Sequence, residues 1–340
     1  MGLGTSHMGV VTTANFIPEL WSDEVLALYK QKLVLGNLVT KVNFKGKKGD
    51  TMHIPVPARG TPTAKAVNTA VTFIADTAGV VDVLINKHFE ASYMIEDIAE
   101  VQALTSMRRF YTDAAAYALA RKVDQDLHML GALAQGGSLS GTGTTSYEKG
   151  VLGGDGTTLF SGATPGNGTA LTDAGIRRVI QTLEDSDLDS SELSFVIPPV
   201  EAKVLRGIAR FTEQAFIGDG TAIRTGRLGN LYGVEVFTST NCPWIQVDSG
   251  TSTQAVKFTS TAHTTGVDDI GETVTVSGTM TNYRACLMLH KDAICLAEQV
   301  AIRSQAQYKV EYLGTALVTD TIYGVKELRD YASVAVIVPA

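Results

Sequence analysis

Two stretches in the last third of the chain decide its reading. Arg224–Pro243, RTGRLGNLYGVEVFTSTNCP, reads as a turn, a glycine-punctuated bend and a strand at Val234–Thr238. RACLMLHKDAICLAEQ, from Arg284, and YGVKELRD at Tyr323–Asp330 read as a buried strand, a tight turn at Lys291-Asp292 and a second apolar run. Neither stretch concentrates a catalytic residue type. That points to a protein whose function lies in its shape and contacts.

Upstream, residues 14–38 read as an arm with one short helix. Pro18 suits a first helical position, and Trp21, Val25, Leu28 and Leu35 share one face. A helix this short needs a surface to dock on. Residues 42–85 change character. Thr51–Pro57 alternates and is proline-punctuated, and Val71–Ile74 and Val80–Ile85 are β-branched runs. Pro55, Pro57 and Pro62 each lack a ladder donor, so these strands belong at an edge or on a projection. The expectation is a long two-stranded flap, too thin to be stable without a partner surface.

Residues 96–134 carry the strongest helical period, through Ile98, Val101, Leu104, Tyr111, Ala115, Ala118, Val123, Leu127, Leu130 and Leu133. Glu96, Asp97 and Glu100 are placed at its start, where the helix dipole favours carboxylates. Its length, about 55 Å at 1.5 Å per residue, suits the spine of an elongated molecule. The Gly/Ser/Thr-rich residues 136–170 read as a loop or linker. Thr172 then caps a helix with Ile176, Val179, Ile180 and Leu183 inward. LSFVI at Leu193–Ile197 is a short buried strand, and a helix restarts at Pro199. Residues 248–282 suggest a small β excursion, and Tyr331–Ala340 a terminal strand.

Composition excludes several classes. The 340 residues have a mean hydropathy of +0.10 and no apolar run near the roughly 20 residues of a membrane span. No N-terminal segment has the pattern of a signal peptide. Cys242, Cys286 and Cys295 are too few and too scattered for a disulfide framework or zinc site. The net charge of −7 disfavours a general nucleic-acid binder. Within residues 41–65, however, Lys41, Lys45, Lys47, Lys48, Arg59 and Lys65 face only Asp50, a net of +5. Glu184, Asp185, Asp187, Asp189 and Glu192 form an acidic run. Such runs read either as solvated faces or, being of opposite sign, as the halves of a repeated subunit contact.

There is no dinucleotide fingerprint, phosphate loop, HExxH pair or nucleophile elbow. The six histidines are isolated, and the pairs Asp187/Asp189 and Asp268/Asp269 lack further ligands at a calcium-loop spacing. No catalytic residue, cofactor or metal is expected. The interface candidates are Trp21, a docking anchor on the arm, and the cations Lys45, Lys47, Lys48 and Arg59 of the flap.

The order of these parts resembles the major capsid protein family of tailed bacteriophages, the Johnson fold. The likeness runs from about residue 14 to 340. It is carried by LSFVIPPVEAKVL, RTGRLGNLYGVEVFTST, ACLMLHKDAICLAEQ and YGVKELRD in that order. It implies an α+β fold: an N-terminal arm (1–41), an extended β-hairpin loop or E-loop (42–85), a peripheral domain (86–170) with spine helix 98–133, and an α/β axial domain (171–340) with a β insertion near 244–282. C-terminal strands can return to the peripheral domain. It also implies self-assembly through pentamers and hexamers into an icosahedral virion head around double-stranded DNA, without sequence-specific binding. Scaffolding and portal proteins are the implied partners, with assembly in the host cytoplasm. An encapsulin-like bacterial compartment shell is the alternative, and an α/β enzyme with residues 136–170 as a lid is a third reading. Some relatives cross-link through Lys and Asn; no such pair is identified in this sequence.

Overall fold

A computed structural model describes residues 33–43, 49–56, 62–71, 73, 79–98, 107–133, 151–156, 169–208, 229–248, 256–259 and 280–340. Its centre is the strand β11, Met280–His290, whose apolar stretch ACLMLH is buried throughout. The other strands are β1 Thr40–Asn43, β2 Thr51–Val56, β3 Gly79–Leu84, β4 Lys87–Glu96, β5 Val151–Gly153, β6 Leu193–Ile197, β7 Asn230–Leu231, β8 Val234–Thr238, β9 Trp244–Asp248, β10 Val256–Thr259, β12 Ile294–Lys309, β13 Gly314–Glu327 and β14 Ser333–Pro339. The α-helices are α1 Met107–Leu133, α2 Asp173–Glu184 and α3 Pro199–Arg206.

β11 pairs antiparallel with β14 along one edge. Its other edge takes β9 over Met280–Arg284 and then β6 over Leu287–His290. Side chains alternate across a strand, so one strand can feed two cores. Cys286 and Met288 join Phe195, Ile197, Val334, Val336 and Val338 against Ile176, Val179 and Leu183 of α2 and Leu205 of α3. Leu287 and Leu289 point the other way, with Val196, toward Leu127 of α1, Leu35 and Tyr323. A sheet covered on both faces needs unbroken apolar runs, which is why ACLMLH and VAVIV show no polar alternation.

The second C-terminal segment divides between two sheets. At the Lys291–Ala293 turn the chain leaves the central sheet, and β12 pairs with β13 in a long antiparallel hairpin. β4 flanks β13, and β1 runs parallel to the first residues of β12. Helix α1 packs on this sheet and on β11, bridging the two. Gly131 makes the close approach possible, since a Cβ there would meet the Leu287 side chain at 2.4 Å.

Several local expectations hold. Thr172 caps α2 by accepting the Gly175 N–H, and Pro199 opens α3. β2 and β3 form a two-stranded ribbon in which Pro55 is tolerated, because β2 has a single partner strand. The three cysteines are free and buried, and burial pushes the Cys295 thiol up to about 11. Other expectations change. Glu96 is both the last residue of strand β4, opposite Gly314, and the residue directly before the helical Asp97–Ile98. The sequence reading passed over β4 altogether. Val71 and Phe73 lie outside any strand. The arm helix, residues 99–106 of the spine, the loop residues 136–150 and most of the excursion after Asp248 lie outside the described residues.

The flap root is fixed to the sheet by contact, not by chain continuity alone. Val83 and Ile85 pack on Ala297, with Met52, Ile54 and Ile322 beside them. Gly324 of β13 sits so close that an added Cβ would lie 2.3 Å from the Leu84 carbonyl oxygen. Gly324→Val should therefore cost about 1–3 kcal/mol and displace the ribbon root. Hydrogen exchange should rise in β2 and β3 while β14 keeps its protection. Unchanged exchange in the ribbon would show that Gly324 does not set its position.

Candidate assembly surfaces

Two apolar ends of the chain are left without cover. On the flap, Val67 and Phe73 are 90% and 94% exposed, with Val71 beside them. At the tip of the β12–β13 hairpin, Val310, Tyr312 and Leu313 are 64–73% exposed. Ile98 is also exposed and lies near them, because the Asp97 N–H donates to the Leu313 carbonyl. Isolated exposed apolar residues are ordinary, but clusters of this size on a projection mark contact sites.

Leu313 carries a second signal. It turns the hairpin at φ +45°, a left-handed conformation that costs a non-glycine residue about 1–2 kcal/mol. A leucine that is both exposed and strained gains nothing for the isolated chain. The tip is held in shape by Tyr308, whose hydroxyl donates to Asp97 at 2.7 Å. From the flap root at the Lys87–Tyr323 pair to the tip at Glu96–Gly314, the sheet runs about 30 Å. The two apolar ends therefore spring from opposite ends of one sheet.

Charge completes these surfaces. The five acids from Glu184 to Glu192 are exposed, as the sequence pattern implied. Glu192 pairs with His290 at 3.0 Å. The Ser191 backbone and hydroxyl stabilise the Asp189 carboxylate and hold its pKa down. On the outer face of the second sheet, Arg303 grips Asp320 through two hydrogen bonds of 2.8 and 2.9 Å, with His88 at 3.4 Å. Trp21, Lys45, Lys47, Lys48 and Arg59 lie outside the described residues.

The histidines proved less isolated in space than in sequence. His53, His88, His128 and His290 each face a carboxylate: Asp82, Asp320, Asp124 and Glu192. Among the described residues no cluster of three or more His, Cys, Asp or Glu could hold a metal ion. No described helix is long and apolar enough to cross a membrane.

The sequence reading missed the hairpin tip and the exposed flap residues Val67 and Phe73. A signal existed at the tip: VEYLG places three apolar side chains around Glu311 just before a turn glycine. Only the strand pairing shows that these side chains stand exposed at a hairpin tip.

No family model matches the chain, and no curated protein matches it by sequence. Solved structures do match it over nearly its whole length. The capsid of cyanophage P-SCSP1u aligns with a TM-score of 0.70 at 17% identity, covering 99% of this chain and 97% of that one. A structure from Mycobacterium phage Che8 aligns at 0.66 and 22% identity, covering 95% and 97%. The capsid of Ralstonia phage GP4 aligns at 0.63 and 14% identity, covering 95% of each chain. The chain has the α+β fold of tailed-phage major capsid proteins.

Proposed function

We propose that this chain is a major capsid protein, the repeated structural subunit of an icosahedral phage head. The observation that carries the reading is the end-to-end match to chains built into assembled capsids. A partial match would fit a shared domain with another use; this one leaves little of either chain over. The uncovered ends support it. A flap and a hairpin tip at opposite ends of one sheet suit heterologous contacts, which close into rings under five- or six-fold rotation. Many modest contacts per subunit then add up through multivalency. The encapsulin-like reading gains no support from these neighbours, which are phage particles.

In this reading residues 1–41 are the arm, 42–85 the E-loop over a neighbouring subunit, and 86–170 the peripheral domain, joined by β12 and β13. The rest of 171–340 is the axial domain around β11. The subunit has no catalytic task, sits in the virion, and is assembled with scaffolding and portal proteins around double-stranded DNA. Electron microscopy of the purified protein under assembly conditions tests the proposal. Closed icosahedral particles are expected; a protein that stays monomeric under all such conditions and is absent from virions overturns it.

The basic flap is assigned to intersubunit ion pairs. Replacing Lys45, Lys47 and Lys48 together with Glu should weaken assembly and make what remains less sensitive to salt. Light scattering across a salt series checks this, and normal shells from the triple variant would remove the flap cations from the interface.

A further inference from the structure

Four buried polar residues from three parts of the chain meet beneath the arm. Asp124 and His128 lie one turn apart on α1, Asn241 precedes β9, and Arg284 is on β11. Their exposures are 2%, 1%, 4% and 7%. Asp124 Oδ1 accepts the backbone N–H groups of Val34, Leu35 and Gly36, where the arm enters the fold. Its Oδ2 accepts Asn241 Nδ2–H at 2.7 Å and lies 3.4 Å from His128 Nδ1. Arg284 donates to the carbonyls of Thr240 and Cys242, on either side of Asn241, and stacks on Trp244.

The proton positions follow from the partners. The Asp124 carbonyl can only accept, so the 2.7 Å contact from His128 Nδ1 requires Nδ1 to carry the hydrogen. Nε2 is then a bare acceptor. Three atoms of the cluster find no hydrogen-bond partner among the described residues: His128 Nε2, Asn241 Oδ1 and Arg284 Nε. They are two acceptors and one donor.

We propose that Asp124, His128, Asn241 and Arg284 form a lock that fastens the arm to α1, and that the lock opens when His128 takes a proton. As drawn, the lock is electrically balanced, with one carboxylate, one guanidinium and a neutral imidazole. A proton on Nε2 leaves a buried net positive charge beside Arg284. The other titratable groups facing the cluster are the thiols of Cys242 and Cys286, both held neutral by burial; Glu201 bears on Cys286. Burial depresses the His128 pKa more than Asp124 and its carbonyl restore it, and Arg284 adds to the depression. The closed lock therefore holds fully above the ordinary value of 6.5 and weakens as pH falls below it.

The test is hydrogen exchange of the Val34–Gly36 amides in the full chain between pH 7.5 and 5, corrected for intrinsic rates, with β14 as the reference for global unfolding. Protection at the arm should fall by up to about tenfold per pH unit below pH 6.5 while β14 stays protected. In His128→Gln the same amides should show no such step. Equal pH profiles in the two proteins, or loss of protection only together with β14, would overturn the proposal. Should that variant not fold, the nitrogen spectrum of His128 in the unmodified protein decides: an Nδ1–H tautomer at neutral pH is expected, and an Nε2–H tautomer sinks the lock.

Discussion

Asp124→Ala is expected to lower the stability of the folded chain by about 3–5 kcal/mol, because several buried donors lose one charged acceptor, at about 1–3 kcal/mol for each group left unsatisfied. The loss has several parts. Three backbone N–H groups of the arm and one amide of Asn241 lose their acceptor. A buried amide left without a partner costs about 1–3 kcal/mol by itself. Val34 and Leu35 also pack on Leu127, so loosening the arm exposes apolar surface of α1. Denaturant titration followed by circular dichroism measures this. Asp124→Asn should fall between the two, because an amide oxygen can still accept from the arm while its NH₂ faces that of Asn241. A loss under 1 kcal/mol for the alanine variant would mean that the arm is held by packing alone.

The second large effect concerns assembly and not folding. Val67→Asp together with Phe73→Asp should leave the melting temperature of the unassembled chain unchanged, since both side chains are almost fully exposed. Burying each against a neighbour contributes about 1.5–3 kcal/mol. Losing both should raise the concentration needed for assembly at least about a hundredfold, at 1.4 kcal/mol per tenfold. Sedimentation of assembly mixtures separates the outcomes. Shells formed at the normal concentration would show that the flap end does not carry an interface.

Much of the fold was legible along the chain because its signals are local. The cap at Thr172, the restart at Pro199, the turn at Lys291 and the buried run ACLMLH depend on a few neighbouring residues. Strand β4 escaped because the alternation of Phe89, Ala91, Tyr93 and Ile95 is broken by Met94 and runs directly into a helical period. Its identity as a strand rests on pairing with β13, more than two hundred residues away. Asp124 and Asp126 escaped for a related reason. On a helix with a polar face they look solvated, yet Asp126 is buried under Lys87, Lys122 and the Tyr323 hydroxyl.

The interface was legible only in outline. The charge imbalance of residues 41–65 can be counted directly, and it is what proposes the flap as a contact element. Which apolar residues are left over for a partner cannot be counted, because it depends on what the rest of the chain covers. Val310, Tyr312 and Leu313 resemble core residues until the β12–β13 pairing places them at an exposed hairpin tip.

By itself, then, the sequence determined the class of elements, their order, the absence of known catalytic motifs and the likeness to a capsid subunit. Each of these rests on periodicity, turn chemistry or residue type, which are properties of neighbours in the chain. The tertiary structure decided the division of the C-terminal strands between two sheets, the burial of Asp124 and His128 beneath the arm, and the two apolar ends left open. Those are consequences of long-range pairing, where one strand's partner is another's competitor, and only the folded chain resolves that competition.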